Sequence, residues 1–185
     1  MKAIGFVGTP RKESNTVLAV QAILDGAKER GAEIAICSSR DLNLKPCQAC
    51  MGCAKAPTCV IEDDMLQIYD QLESADVLIF GSPVYMGQMT AQAKAFMDRL
   101  FAKLGPHIAP EIKDKFTGKK LIQVYTQGAP IPMAYQAYFD LTAGAFGHLG
   151  FDVIDTQVIA GMPDESTQER TDLINGLKKV GADLA

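Results

Sequence analysis

The chain has 185 residues, of which 48% are hydrophobic and 22% charged, and its net charge is −4. This length and composition predict a single domain, residues 1–185, with a hydrophobic core. The acidic balance without a Lys/Arg cluster argues against a nucleic-acid partner, and no stretch approaches the ~20 apolar residues that would make a membrane a partner.

Short apolar runs alternate with amphipathic stretches along the chain. The runs predict strands at residues 3–8, 33–37, 77–80, 120–125 and 152–159. After each run, apolar residues recur at the spacing of a helix face, with Asp63 and Thr90 as candidate N-caps. Apolar strands separated by helices are typical of an α/β fold, in which a parallel sheet carries helices on both faces. Right-handed crossovers favour a doubly wound five-stranded sheet in the order 2-1-3-4-5.

Ligands of such a sheet bind at the carboxyl ends of its strands, where three loops are expected to meet. The loops are residues 9–16 (TPRKESNT), 81–88 (GSPVYMGQ) and 126–130 (TQGAP). The first loop is rich in hydroxyls and runs into a helix N-terminus, which attracts an anion. Neither GxxxxGK[ST] nor GxGxxG is present. A hydroxyl-lined loop after the first strand instead suits a mononucleotide phosphate. A plain helix cap at Ser14 or Asn15 is the alternative interpretation.

The other two loops offer groups suited to a flat ring. Pro83 favours extended backbone, and Tyr85 and Met86 could lie against a ring face. A half-buried loop aromatic is the alternative for Tyr85. Thr126 and Gly128 would let the backbone approach a ligand closely.

Two of these stretches resemble a known family. GTPRKESNT is similar to the GSPRKxSNT loop of the flavodoxin-like NAD(P)H-dependent FMN reductases, with Thr9 keeping the hydroxyl of the usual Ser. GSPVYMGQMTAQAKAFMDR resembles their GSPVYxGxxxxxxKxFxDR segment. The likeness is close over residues 1–104 and rests on fold pattern beyond them. It implies a flavodoxin-like fold that binds FMN. The implied phosphate ligands are Thr9, Arg11, Ser14, Asn15 and Thr16, and the implied ring and ribityl contacts are Ser82, Pro83, Val84, Tyr85, Met86, Thr126 and Gly128.

Four of the five cysteines lie in CQACMGCAKAPTC, residues 47–59, which we call the cysteine segment. The spacing C-x2-C-x2-C supplies three thiolates for a cubane cluster, and a fourth follows. Structural zinc more often uses two separated ligand pairs. The N-terminal apolar run is too short for an export signal, so we expect a cytoplasmic protein, in which disulfides are rare. An empty loop is the remaining alternative. Cys37 is interpreted as a small buried apolar residue.

The cysteine segment and its flanks, LNLKPC and CVIEDDM, resemble the compact motif of iron–sulfur flavoproteins, a branch of the same family. The resemblance implies a 4Fe–4S cluster, one FMN per chain, and a homodimer or homotetramer. The implied cluster ligands are Cys47, Cys50, Cys53 and Cys59. Because the segment follows the second strand, we expect it on the same edge of the sheet as the flavin.

The leading hypothesis is a flavin-dependent oxidoreductase that moves electrons between a ferredoxin-like or NAD(P)H donor, FMN and a cluster. We assign no catalytic acid or base, because the cofactor does the chemistry in flavin enzymes. His107, in a segment that could cover the flavin, and His148, near a helix end, are interpreted as solvated or capping residues. The alternatives are an NAD(P)H-dependent FMN or quinone reductase whose cysteine segment is empty or holds zinc, and a non-enzymatic flavin- or metal-binding module.

Overall fold

The computed structural model describes residues 1–161 and 170–184. Residues 162–169 and 185, which the single-domain prediction includes, lie outside the described residues. The strands are β1 (Lys2–Val7), β2 (Glu33–Ser38), β3 (Val77–Tyr85), β4 (Gln88–Met89), β5 (Lys120–Thr126) and β6 (Asp152–Ile159). The helices are α1 (Asn15–Glu29), α2 (Met65–Ser74), α3 (Ala91–Arg99), α4 (Phe101–Leu104), α5 (Pro110–Lys113), α6 (Gln136–His148) and α7 (Thr171–Ala182). Short 3-10 turns span Gly52–Ala54 and Pro132–Tyr135.

Five strands form a parallel sheet in the order β2-β1-β3-β5-β6. This is the predicted doubly wound order, because β5 and β6 are the predicted fourth and fifth strands. The small strand β4 pairs antiparallel with the end of β3. The flavodoxin-like topology inferred from the sequence is therefore confirmed.

The sheet is buried between two helical layers, as predicted. On one face, α1 and α7 cover a cluster that includes Val20, Ile23 and Leu177. On the other face, aromatic rings dominate a larger cluster, in which Phe6 stacks on Phe96 with ring centroids 3.8 Å apart. Burial on both faces is the physical reason that the central strands are apolar without alternation.

The predicted loop at residues 81–88 is a hairpin. β3 continues to Tyr85, the chain turns at Met86 (φ 51°) and Gly87 (φ 81°), and β4 returns. Two consecutive positive φ angles are typical of tight hairpin turns. Gly87 was expected to permit a tight turn, but methionine rarely adopts positive φ, so nothing at Met86 indicated a hairpin.

Several element boundaries also differ from the sequence expectation. Thr90 caps α3 as predicted, and its Oγ1 accepts from the backbone N–H of Ala93 at 3.1 Å. The residue at the N-cap of α2 is Asp64, while Asp63, the predicted cap, accepts from the backbone N–H of Met65 at 3.1 Å.

In the described part of the chain, no helix combines the length and apolar character needed to cross a bilayer.

Candidate functional site

The three candidate ligand loops meet at one edge of the sheet. The backbone N–H of Gly8 donates to the Gly81 carbonyl at 2.8 Å, which joins the first loop to the second. The hydroxyls of Thr16 and Thr126 share a buried hydrogen bond of 2.7 Å, which joins the first loop to the third. Thr90 donates its hydroxyl to the Gly8 carbonyl. The convergence expected from the fold is therefore confirmed.

Within the first loop, the structure separates supporting groups from accessible ones. Thr9 is buried and its Oγ1 accepts from the backbone N–H of Arg11 at 3.3 Å. Ser14 caps α1 by accepting from the backbone N–H of Thr16 at 3.2 Å, and Arg11 is exposed. Ser14 and Asn15 are therefore half-buried and the Arg11 side chain is exposed at the start of α1, while the buried Thr9 and Thr16 support the loop.

The second loop is anchored at its base and exposed at its tip. Ser82 is buried, accepts from the backbone N–H of Thr90 at 3.1 Å and donates to the Pro83 carbonyl at 2.9 Å. Pro83 and Val84 are half-buried. At the tip, Tyr85 is 42% exposed and Met86 is fully exposed. The tip residues are thus available to a ligand, whereas the Ser82 side chain is engaged inside the protein.

Gln127 is a buried polar residue that sequence reasoning missed. It is 2% exposed, and its Nε2 donates to the carbonyls of Ala129 at 3.2 Å and Ile131 at 2.8 Å. These bonds fix the third loop, in which Gly128 is exposed. The Oε1 atom of Gln127 has no hydrogen-bond partner among the described residues. A glutamine after a strand carries no sequence signal for this role.

The four cysteines of the segment line a single cavity of about 1410 Å³. The other walls are the second half of α3, α4 and the second half of α6. Cys47 and Cys50 are exposed, whereas Cys53 and Cys59 are half-buried. All four predicted thiol ligands therefore line the same cavity.

A buried ion pair fixes both ends of the cysteine segment. The guanidinium of Arg99 binds Asp63 in a bidentate manner, at 2.7 and 2.9 Å. The same guanidinium donates to the carbonyls of Lys45, just before the segment, at 2.8 Å, and of Ile61, just after it, at 3.4 Å. Asp63 also accepts from the backbone N–H of Lys45 at 2.8 Å. We call this arrangement the Arg99–Asp63 clamp.

Burial by itself would raise the pKa of Asp63, but the hydrogen bonds from Arg99 and Lys45 hold that pKa below its ordinary value. Burial would likewise lower the pKa of Arg99, but its hydrogen bonds to Asp63 raise it. Both partners therefore stay charged in the interior. Sequence reasoning quoted Arg99 only as the last residue of a family motif.

The backbone around Cys50 is unusual. Ala49 (φ 52°) and Met51 (φ 56°), on either side of it, are both in the left-handed region. Non-glycine residues are uncommon there, and each costs on the order of 1–3 kcal/mol. Backbone of this kind can form concavities lined by amide N–H groups, which anion and iron–sulfur sites use.

The thiols also influence one another. Burial raises the pKa of the Cys53 thiol, and the charges of Cys59, Cys47 and Cys50 raise it further. Thiolates in this position repel, so a positive centre among them would favour their ionised form. Within residues 1–161 and 170–184, no three His, Cys, Asp or Glu side chains are grouped to hold a single metal ion.

The cysteine cavity and the three loops are separate surfaces joined by α3. Of the described residues, none from the three loops lines the cavity. The N-cap Thr90 bonds the first loop, whereas Lys94, Met97 and Asp98 face the cavity. At 1.5 Å per residue, α3 is roughly 14 Å long. The cysteines therefore lie beside the second half of α3, and the expectation that they share the flavin edge of the sheet stays a prediction.

The two histidines lie by the cysteine cavity. His148 ends α6 and is exposed, in line with the sequence interpretation. His107 is not a solvated or capping residue over the flavin loops, because its Nε2 lies 3.1 Å from the Sγ of Cys53.

A doubly wound sheet with the order β2-β1-β3-β5-β6 and three loops converging at its carboxyl edge defines a flavodoxin-like α/β protein. Comparison with known proteins narrows this class. The sequence model of the family described as NADPH-dependent FMN reductase matches residues 1–160. The solved structure of an NAD(P)H:quinone oxidoreductase from Methanothermobacter marburgensis superposes with a TM-score of 0.77 at 14% identity, over 100% of this chain and 96% of that one. This likeness shows the shared fold.

Curated relatives narrow the class further. An iron–sulfur flavoprotein from Methanosarcina thermophila is 43% identical over 99 residues, which are 54% of this chain and 52% of the relative. One from Archaeoglobus fulgidus is 32% identical over 164 residues, which are 85% of this chain and 72% of the relative. The match spans about half the length of several curated relatives. The chain belongs to the NADPH-dependent FMN reductase family, in the branch of the iron–sulfur flavoproteins.

Proposed function

We propose that this chain is an FMN-dependent oxidoreductase of the iron–sulfur flavoprotein type. FMN would bind at the three loops, and Cys47, Cys50, Cys53 and Cys59 would hold a 4Fe–4S cluster. The observation that carries the proposal is that all four thiols line one cavity. The chain on either side of the cysteine segment is held by the Arg99–Asp63 clamp. FMN exchanges electrons singly or in pairs and a cluster exchanges them singly, so the two together supply conversion between two-electron and one-electron partners.

The cysteine residues fit a cluster better than they fit zinc. Structural zinc more often takes two separated ligand pairs, whereas three of the four cysteines follow one another in the spacing C-x2-C-x2-C. A cubane accepts one thiolate at each of its irons, so its ligands stand farther apart. The left-handed backbone at Ala49 and Met51 supports the same assignment, because it suits an anionic group surrounded by amide N–H groups.

The loop residues fit a flavin mononucleotide. The Arg11 guanidinium, the Ser14 hydroxyl and the N-terminus of the fifteen-residue helix α1 favour a phosphate. The buried Oε1 of Gln127, at the end of β5, is an acceptor that a ring N–H could satisfy. The exposed tip at Tyr85 and Met86 offers apolar surface for a ring face. Thr9, Thr16, Ser82 and Thr126 would hold these groups in place.

The partners follow from the same chemistry. We propose a ferredoxin-like protein or NAD(P)H as the electron donor, and the cytoplasm as the compartment, since its thiols stay reduced. A homodimer or homotetramer is supported by large apolar side chains exposed on α6 and on the residues just before it. These are Ile131, Met133 and Leu141.

The test is the iron and acid-labile sulfide content of protein purified without oxygen. We expect about four of each per chain in the wild type and in Cys37→Ser, because the Cys37 thiol lies in β2 and donates to the Gly5 carbonyl. Cys59→Ser should lose most of its sulfide and keep its flavin. Wild-type protein with flavin, intact thiols and almost no sulfide would overturn the cluster assignment. Rapid flavin bleaching by NAD(P)H in such protein would instead favour a flavin or quinone reductase.

A further inference from the structure

His107 lies in a tight turn that holds its ring against the cysteine segment. The backbone N–H of Ile108 donates to the Gly105 carbonyl at 3.0 Å, which closes the turn. The imidazole packs on the Phe101 ring with centroids 4.7 Å apart. Its Nε2 lies 3.1 Å from the Sγ of Cys53. The ring is therefore fixed by its own turn and by α4, and not by the cysteine alone.

Gly105 makes room for this ring. A Cβ atom at that position would lie 2.7 Å from Cε1 and 3.0 Å from Nδ1 of His107, and 2.6 Å from the carbonyl oxygen of Phe101. The last contact is with backbone, which cannot move aside without disturbing the end of α4. A larger residue would therefore displace the imidazole from Cys53.

The surroundings of the ring select its tautomer. A neutral imidazole carries its proton on one nitrogen and a lone pair on the other. The Nδ1 of His107 is buried without a hydrogen-bond partner among the described residues. A buried N–H without an acceptor is rarer and costs more free energy than a buried acceptor without a donor. The Nδ1 atom should therefore carry the lone pair and Nε2 the proton. The Nε2–H then points at the sulfur.

We propose that His107 is a positioning residue that donates its Nε2–H to the Cys53 sulfur and thereby raises the reduction potential of the cluster. The effect on the potential rests on the proposed function, because it needs a cluster bound at Cys53. A hydrogen bond to a cysteine sulfur stabilises the more negative, reduced state of an iron–sulfur group. The hydrogen bond from His107 to Cys53 concerns the protein alone, so it is expected in the chain without a cluster as well.

The first measurement is the midpoint potential of the cluster in a dithionite titration of anaerobic protein. His107→Phe fills the site without a donor and should shift the potential downward. His107→Gln keeps an N–H near the position of Nε2 and should restore most of the wild-type value. His148→Phe is the control for the loss of an imidazole, because the exposed His148 ends α6, and it should leave the potential unchanged. Thermal unfolding of each variant separates this effect from a loss of folding.

The second measurement is the long-range ¹H–¹⁵N correlation spectrum of the metal-free full-length chain with labelled histidines. With two histidines in the sequence, the His148 variant assigns the signals. We expect the Nε2–H tautomer for His107, and Gly105→Ala should lose it. A Nδ1–H tautomer, or equal potentials in wild type and His107→Phe, would overturn the proposal. If the wild type holds no sulfide, the proposed function fails, and the tautomer alone still decides whether His107 is the donor.

Discussion

Arg99 lies 2% exposed between two stretches of chain that are distant in sequence. Its donors reach the carbonyl of Lys45, 54 residues earlier, and that of Ile61, 38 residues earlier. Asp63 completes the arrangement with a bidentate ion pair. At the scale of single residues, the course of the cysteine segment therefore depends on one guanidinium.

Arg99→Met should leave the Asp63 carboxylate buried and without its partner. Removing one member of a buried pair costs roughly 3–5 kcal/mol, and we expect a loss of that order in urea unfolding. Lys94→Met is the control on the same helix, because it removes the exposed pair with Asp98, which is worth about 0.2–1 kcal/mol. Equal losses in the two variants would contradict the clamp.

The clamp also predicts a pH dependence. The carboxyl of Asp63 has a pKa of about 3.9 in the unfolded chain, and its pKa in the folded protein is lower. Its stabilisation is therefore fully present above about pH 4 and is lost as the pH falls through the folded pKa. The free energy of unfolding of wild type minus that of Asp63→Asn should be largest near neutral pH and shrink in acid. A difference that does not change with pH would refute this account.

The sequence could indicate the ligand residues but not the residues that hold them. The cysteine spacing and the hydroxyl-rich loop are formed by residues that are neighbours in the sequence. Cys47–Cys59 and residues 9–16 could therefore be recognised without the structure. Arg99, Gln127 and His107 act through partners that only the folded chain brings near. A lone Arg, Gln or His gives no sign of such partners.

At the scale of elements, the strand order was predictable because apolar strands, helical crossovers and their right-handedness leave few alternatives. The β3–β4 hairpin was missed because its turn uses Met86, a residue that seldom adopts positive φ. The break between α3 and α4 at Leu100 was missed as well. No Gly or Pro marks that break in the sequence.

Two glycines let α1 and α7 cross with their backbones in contact. A Cβ at Gly26 would lie 1.9 Å from the carbonyl oxygen of Lys178, and one at Gly181 would lie 1.8 Å from that of Ile23. No periodic pattern in the sequence indicates that the backbones of α1 and α7 lie in contact. The crossing brings α7 onto the α1 face of the sheet, which supports the helix that begins at the first loop.

Gly181→Ala should force the two helices apart and destabilise the protein by about 1–3 kcal/mol, as overpacking does. Gly176→Ala on the same helix meets no neighbour within 4 Å, and it should stabilise the protein by about 0.4–1 kcal/mol. Thermal unfolding of the two variants measures the contrast. A Gly181→Ala variant that unfolds at the wild-type temperature or higher would contradict close backbone contact at Gly181.

At the scale of the whole molecule, α3 connects two surfaces. Its N-terminus is tied to the first loop through Thr90, and its second half faces the cysteine cavity and ends at the clamp. The sequence suggested that both surfaces belong to one protein, but not how far apart they lie, because the path of the cysteine segment is set by tertiary contacts. A rigid helix between two redox sites would fix their separation.

The central claim is that one chain holds both a flavin at the loops and a cluster at the cysteines. The most direct test is the absorption spectrum of anaerobically purified protein before and after reduction. The account predicts flavin bands superimposed on a broad iron–sulfur absorption, both bleached by reduction, with the broad component missing from Cys59→Ser. A wild-type spectrum that contains flavin bands alone would contradict it.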